Sequence, residues 1–256
     1  MVQNDGDGLM RYLIVDSHKN MTKKRKDALA NFFMTAKNIP VGTAYEQVDF
    51  CDWYESEYAV KWFEIIVLNG EMVTGYLRCL RNPDDVKEWY IGDVYVNCEF
   101  RRKRIALKMY EKVFKELMRY EAAERVIATV NRNNTASIGL HLKTGFQDTG
   151  KAVEFASFYA APEETVYTKR ILRMLPFPDE MSDDDIMSFI LPLWMEYFGK
   201  SGKSIKKASI SKLAKEKLME ALRKRKTDGT EFSCIWCGNR LAGFRYNGTE
   251  FISRFI

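Results

Sequence analysis

The chain has 256 residues, 46% of them hydrophobic and 29% charged, with a formal net charge of +5. That is enough apolar material for a packed core, and no apolar run approaches the roughly 20 residues that cross a bilayer. The length suggests one large domain or a medium domain with a smaller one.

The opening residues, Met1 to Gly8, are acidic and glycine-rich, unlike a secretory leader. The five cysteines (Cys51, Cys79, Cys98, Cys234, Cys237) show no framework spacing, which fits a reducing compartment. A soluble, cytoplasmic protein with no membrane partner is expected. Cys234 and Cys237 have the spacing of half a zinc site, but a structural zinc needs four ligands. The remaining cysteines are isolated and the only histidines are His18 and His141, so no metal is expected.

Arg11 to Val15 reads as a first strand. Residues about 20–37 read as a helix, with Ala28, Phe32, Phe33 and Ala36 at helical spacing. Residues 38–57 lack a clear period and read as loop with a short helix. Trp62 to Leu68 is a strand and Asn69-Gly70 a hairpin turn, because both residue types tolerate positive φ. Met72 to Leu80 returns as its partner. After a turn at Asn82 to Asp85, a long strand runs from about Val86 to Val96 into the basic turn Arg101-Arg102-Lys103-Arg104. A helix follows, with Ile105, Leu107, Met109, Tyr110, Val113, Phe114 and Leu117 mostly on one stripe. Arg125 to Val130 is a short buried strand, and a short helix after Asn134 ends at Gly145-Phe146. Ala152 to Tyr159 and Thr165 to Leu172 read as a last strand pair.

The start of a helix leaves backbone N–H groups unpaired and carries a partial positive charge. It suits a phosphate, and four basic side chains at the same place add charge-assisted donors. Arg101-x-x-Arg104-x-Ala106, then Asn134, Ser137, Leu140, Lys143 and Gly145-Phe146, together resemble the acetyl-CoA-binding core of the GNAT superfamily of N-acetyltransferases. The family turn reads Q/R-x-x-G-x-G/A, so Arg104 stands where the middle glycine is usual. His141 stands where the family often has Tyr. The layout covers roughly residues 10–174, and the motifs fall within residues 90–146.

The resemblance implies a GNAT fold of the α+β class, with a mixed sheet, and acetyl-CoA as acyl donor. It implies a direct attack by an amine acceptor on the thioester. The backbone of Arg102, Lys103, Arg104, Ile105, Ala106 and Leu107, with Arg101, would cradle the pyrophosphate. Val94, Tyr95 and Val96 would pair with the pantetheine arm in the opening between two splayed strands. Asn134 and Lys143 complete the expected cofactor contacts. His141 is the candidate general acid, and Asp93 or a water chain the candidate base. Side chains alternate along a strand, which points Asp93 away from the face of Gly92, the position where polyamine-type relatives carry Glu.

Leu175 to Glu180 holds two prolines, which ends a ladder. The expected domains are therefore residues 1–174, a linker at 175–183, and a small α+β domain at 184–256. Ser182 to Asp185 caps a helix, a second helix spans about 208–226, and a hairpin turning at Gly238-Asn239 ends the chain. Two helices followed by strands resemble the start of the first domain, as a truncated repeat would. Residues 200–226 hold eleven Lys/Arg against two Glu, a balance that suits an anionic partner such as nucleic acid. The acceptor is left open between a small amine, a protein and a nucleic acid. A homodimer through the edge of the repeat is a further expectation. The competing reading is a degenerate GNAT that binds acyl-CoA or nucleic acid as a regulatory module.

Overall fold

The computed structural model describes residues 2–4, 10–151, 154–155, 158–159, 161–176, 182–200, 207–228, 231–238 and 240–253. They fall into two compact units, residues 1–171 and 172–256.

The first unit runs β1 (Val2–Asn4), β2 (Met10–Val15), α1 (Lys23–Lys37), α2 (Val41–Tyr58), β3 (Trp62–Asn69), β4 (Met72–Arg81), β5 (Glu88–Val96), α3 (Ile105–Leu117), β6 (Arg125–Asn131), α4 (Thr135–Lys143), β7 (Gln147–Asp148), β8 (Glu154–Phe155), β9 (Phe158–Tyr159) and β10 (Glu164–Arg170). The main sheet has the order β1-β2-β3-β4-β5-β6-β10-β7. Only β5 and β6 run parallel; the connection between them carries α3, as a parallel crossover requires.

Each face of this sheet buries its own alternate residues. Phe63, Ile65, Leu77 and Trp89 pack with Met109, Tyr110 and Val113 of α3. On the other face, Ile66 and Tyr76 pack with Leu29 and Phe33 of α1 and Val48 of α2. The mixed α+β class is as the sequence implies.

Three local expectations change. The segment read as loop with a short helix is an 18-residue helix, α2. Its buried residues Ala44, Val48, Cys51 and Tyr54 do keep helical spacing, but exposed Val41, Tyr45 and Trp53 blur the stripe. The hairpin turn lies one residue on, at Gly70-Glu71, because Asn69 pairs with Met72 and Gly70 takes φ 61. Within Ala152 to Tyr159 the described residues Glu154–Phe155 and Phe158–Tyr159 pair with each other, and among the described residues the partners of β10 are β6 and Gln147–Asp148. Residues 152, 153, 156, 157 and 160 lie outside the described ones.

The second unit runs β11 (Leu172–Pro176), α5 (Asp183–Lys200), α6 (Lys207–Asp228), β12 (Phe232–Cys237), β13 (Arg240–Tyr246) and β14 (Thr249–Ile252), with the sheet order β11-β12-β13-β14, all antiparallel. Leu172 and Leu175, read from the sequence as a strand end and a linker start, thus belong to this sheet. Pro176 closes an edge strand, where its missing N–H is tolerated. A core of Ile186, Ile190, Trp194, Leu218, Phe232 and Phe244 joins the helices to one face of the sheet.

Candidate functional site

The site begins with a fork in the sheet. β5 pairs with β6 from Glu88↔Arg125 to Ile91↔Ala128 and no further. The departure coincides with a bulge: the β4–β5 register shifts between Tyr76 and Arg78, and Asp93 takes a left-handed φ of 52. An extra residue of this kind bends its strand and breaks the ladder. Residues 92–96 therefore present a backbone edge toward β6 that no described strand occupies.

The bulge also turns Asp93. Alternation places it on the α3 face, but its carboxylate accepts from Lys37 Nζ of α1 at 2.6 Å and Arg78 Nη1 of β4 at 2.8 Å. It thus lies on the α1/α2 face, where the sequence puts Gly92. Arg78, 3% exposed, also donates to the Gln47 carbonyl at 2.7 Å and to the Tyr76 hydroxyl at 3.0 Å. Tyr76 in turn donates to the fully buried Glu64, which accepts from His18 Nε2 at 3.0 Å as well.

At the crotch of the fork, the Tyr90 hydroxyl lies 2.9 Å from Thr129 Oγ1, bridging β5 and β6 just where they part. Gly92 makes room for that ring: a Cβ there would sit 3.0 Å from Tyr90 Cε1. Burial, foremost, together with the charges of Asp93 and Glu164, holds the Tyr90 phenol above its ordinary value, against the opposing hydrogen bond to Thr129. The available sequence signal was the glycine itself, since Gly inside a strand often marks a bulge or a close approach.

Past the open end of β5 comes the basic turn. Arg102 and Arg104 take φ of 62 and 60, a backbone in which successive amides converge on an anion. Arg104 is the N-cap of α3 and the helix has no side-chain cap, which leaves the amides of Ile105, Ala106 and Leu107 to an outside acceptor. Arg101, Arg102, Lys103 and Arg104 are all exposed. Arg104 thus keeps the left-handed turn that a glycine would make without strain. Since that conformation costs an L-residue about 1–2 kcal/mol, Arg104→Gly is expected to stabilise the protein by about 1 kcal/mol after the entropic penalty of glycine. Chemical denaturation checks this. The donor set (free amides, four cations and a strand edge with no partner strand among the described residues, its Val96 carbonyl accepting from Arg101 Nε at 3.3 Å) fits a nucleotide diphosphate carrying an amide-containing arm.

The second motif folds as a helix with two caps. Asn134 Oδ1 accepts from Ser137 N at 3.1 Å, so Asn134 is the N-cap of α4. At the other end Phe146 N donates to the His141 carbonyl and Gly145 N to the Leu142 carbonyl, with Gly145 at φ 84. This is a Schellman cap. The His141 and Phe146 rings lie 5.1 Å apart, the apolar contact that accompanies such a cap. His141 is 3% exposed. Its Nδ1 donates to the Ser137 carbonyl at 2.8 Å, and its Nε2 accepts from the Tyr110 hydroxyl at 2.7 Å. Burial lowers the imidazole below its ordinary value, against that backbone hydrogen bond, so the ring is neutral and both nitrogens are engaged within the core. Lys143 is exposed on α4.

Residues 26–146 match the family model for the acetyltransferase (GNAT) family. The chain carries a GNAT acetyltransferase domain. The GNAT fold is also that of a ribosomal-protein-S5-alanine acetyltransferase from Vibrio fischeri, 14% identical, with 67% of this chain and 97% of that one covered at a TM-score of 0.50. Likenesses below that score include an aminoglycoside 6'-acetyltransferase type Ii (14% identity, 65% and 99% covered, TM-score 0.49) and an acetyltransferase from Streptococcus agalactiae (16%, 62% and 98%, 0.47). No curated protein matches the sequence significantly. The matched residues span Lys37 on α1 and Arg78 on β4, the fork, the basic turn and the α4 cap. Among the described residues no helix is long and apolar enough to cross a membrane, and no group of three or more His, Cys, Asp or Glu is arranged to hold a metal.

Proposed function

We propose that the GNAT domain moves an acetyl group from acetyl-CoA to an amine acceptor. The observation that carries this reading is the conjunction of the open β5 edge with the uncapped, basic start of α3. The amides of Ile105 to Leu107, with Arg101 to Arg104, would hold the diphosphate. Val94 to Val96 would pair with the pantetheine amides as a neighbouring strand does. That places the thioester toward the bulge, beside the Tyr90 hydroxyl.

The amine nitrogen then attacks the thioester carbonyl carbon. The C–S bond breaks, a water takes the proton of the amine, and the Tyr90 hydroxyl gives its proton to the leaving thiolate. The phenol carries its proton at neutral pH, as a general acid must, and its place at the fork rather than the upward shift is what assigns it the role. Tyr90 takes the place that sequence reasoning gave to His141, whose nitrogens are spent in the core. Asp93, tied to two cations, is assigned to fixing charge at the fork rather than to accepting the proton.

Calorimetric titration with acetyl-CoA tests the reading. Wild type is expected to bind in the micromolar range. Arg101→Ala/Arg102→Ala is expected to bind at least tenfold more weakly, because charge-assisted hydrogen bonds contribute about 1.5–3 kcal/mol each. Wild-type affinity in the double variant would overturn the assignment of the turn.

The acceptor class remains among small amines, proteins and nucleic acids. For the macromolecular classes the motivating feature is the basic 200–226 segment. Arg223 and Lys224 are exposed on α6, while Lys206 and the side chains of Lys207, Arg225 and Lys226 lie outside the described residues. Acetylation that falls steeply with salt would mark a nucleic-acid acceptor. A homodimer through the edge of the second sheet is likewise proposed, and a monomeric mass in sedimentation would remove it.

A further inference from the structure

The second unit matches the first half of the first unit in element order, strand register and several single hydrogen bonds. Both run strand, helix, helix and three strands, in one antiparallel order. In the first, Val67 faces Gly75 and Leu68 faces Val73, with Thr74 bulged between; in the second, Ile235 faces Gly243 and Trp236 faces Leu241, with Ala242 bulged. Asn97 N donates to the Thr74 carbonyl at 2.9 Å, and Ser253 N donates to the Ala242 carbonyl at 2.8 Å. Arg11 donates to the carbonyl of turn residue Gly70, and Arg173 to that of Gly238.

By this register Glu64, Tyr76 and Arg78 correspond to Phe232, Phe244 and Tyr246. Where the first copy buries a charged network, the second packs aromatics against Trp194, with ring centroids 5.8, 4.8 and 5.7 Å away. The backbone differs in the same place. From Tyr246↔Thr249 to Gly243↔Ile252 the β13–β14 register runs without a shift, whereas β4–β5 shifts opposite Arg78. The charges and the β5 bulge occur together in one copy and are absent together in the other. The second copy shows that the half-fold closes with apolar residues at these positions. Replacing a buried ion pair by packed apolar groups is often neutral or stabilising, so packing alone does not account for the charges in the first copy.

We infer that Lys37, Arg78 and Glu64, with Tyr76 and His18 behind them, form a positioning device. It clamps the Asp93 carboxylate, keeps that residue left-handed, and so holds the β5–β6 fork open for the acyl donor. Lys37 and Arg78 reach Asp93 directly, while Glu64 acts through Arg78, 3.6 Å from its Nε. The donor arm of the test below rests on the acetyl-transfer reading; the backbone arm does not.

The experiment is residue-resolved amide hydrogen exchange on the full chain, without ligand, for wild type, Arg78→Met, Lys37→Met and Lys37→Arg. Acetyl-CoA titration is run on each. The expected result is exchange at least tenfold faster in residues 92–96 of Lys37→Met, with α1, α2 and β3 unchanged; in Arg78→Met, which removes one partner from a buried ion network, residues 92–96 accelerate at least tenfold more than those elements do. Acetyl-CoA affinity falls at least tenfold, and Lys37→Arg restores both. Exchange at 92–96 equal to wild type, or acceleration spread evenly over α1, α2 and β3 in step with a lower Tm, would overturn the proposal. Lys37→Met, at the solvent edge of the network, carries the test if Arg78→Met does not fold. If wild type binds no acetyl-CoA, the acetyl-transfer reading fails while the exchange arm still decides the clamp.

Discussion

Replacing Tyr90 with Phe is expected to lower kcat about 10²-fold while leaving acetyl-CoA affinity near wild type. The ring stays over Gly92 and the fork keeps its shape; only the hydroxyl paired with Thr129 is lost. General acid catalysis by a positioned side chain contributes about 10²–10⁴-fold, so the low end of that range is the least the reading demands. CoA release, measured with whichever amine is accepted, gives the number. A stability loss of about 1 kcal/mol accompanies it, from the unmade hydrogen bond, and is too small to mimic the kinetic effect. His141→Phe is the contrasting case, because it removes the partner of the Tyr110 hydroxyl within the core. It should cost stability and spare kcat, and the reverse outcome would return the acid role to His141.

Glu64→Ala is expected to destabilise the first unit by about 3–5 kcal/mol, the range for breaking a buried ion pair from one side. His18, Tyr76, Cys51 and Arg78 all point at this carboxylate, and truncation leaves them buried without it. For a unit of this size that is a fall in Tm of about 10 °C, measurable by thermal unfolding. This does not conflict with the aromatic solution in the second unit: removing one partner is costly even where replacing all of them is not. The pH dependence has a definite sign. Burial pushes the Glu64 carboxyl up, but the His18 hydrogen bond and the Arg78 charge outweigh it and hold the group below its ordinary 4.5. A folded value below the unfolded one stabilises fully above about pH 4.5 and is lost as pH falls through the folded value. Glu64→Gln should therefore flatten the acid side of the stability profile, and an unchanged acid slope would count against the assignment.

Much of the catalytic half was legible in the residues because the signals are local. A basic run between a strand and an amphipathic stripe marks an anion-binding helix start whatever surrounds it. Gly145-Phe146 closes α4 through bonds that span five residues, so its meaning is written within one turn of chain. The Gly70 turn misses by one residue, within reach of the same kind of reasoning. α2 was missed because its buried stripe is made of Ala44, Val48, Cys51 and Tyr54, with large apolar residues on the outside.

The sequence by itself determined the order of elements, the basic turn ahead of α3 and the cap that ends α4, since each depends on residues a few positions apart. Only the tertiary structure decided which face Asp93 takes, because the bulge that reverses it is set by register against β4, and its two cationic partners come from α1 and β4. Tertiary packing likewise buried His141 against Tyr110 and brought Tyr90 to Thr129, contacts 31 and 39 positions apart. Strand alternation and motif spacing carry no information about a partner strand. The fork is made by one extra residue between two strands, so it appears only when they are paired.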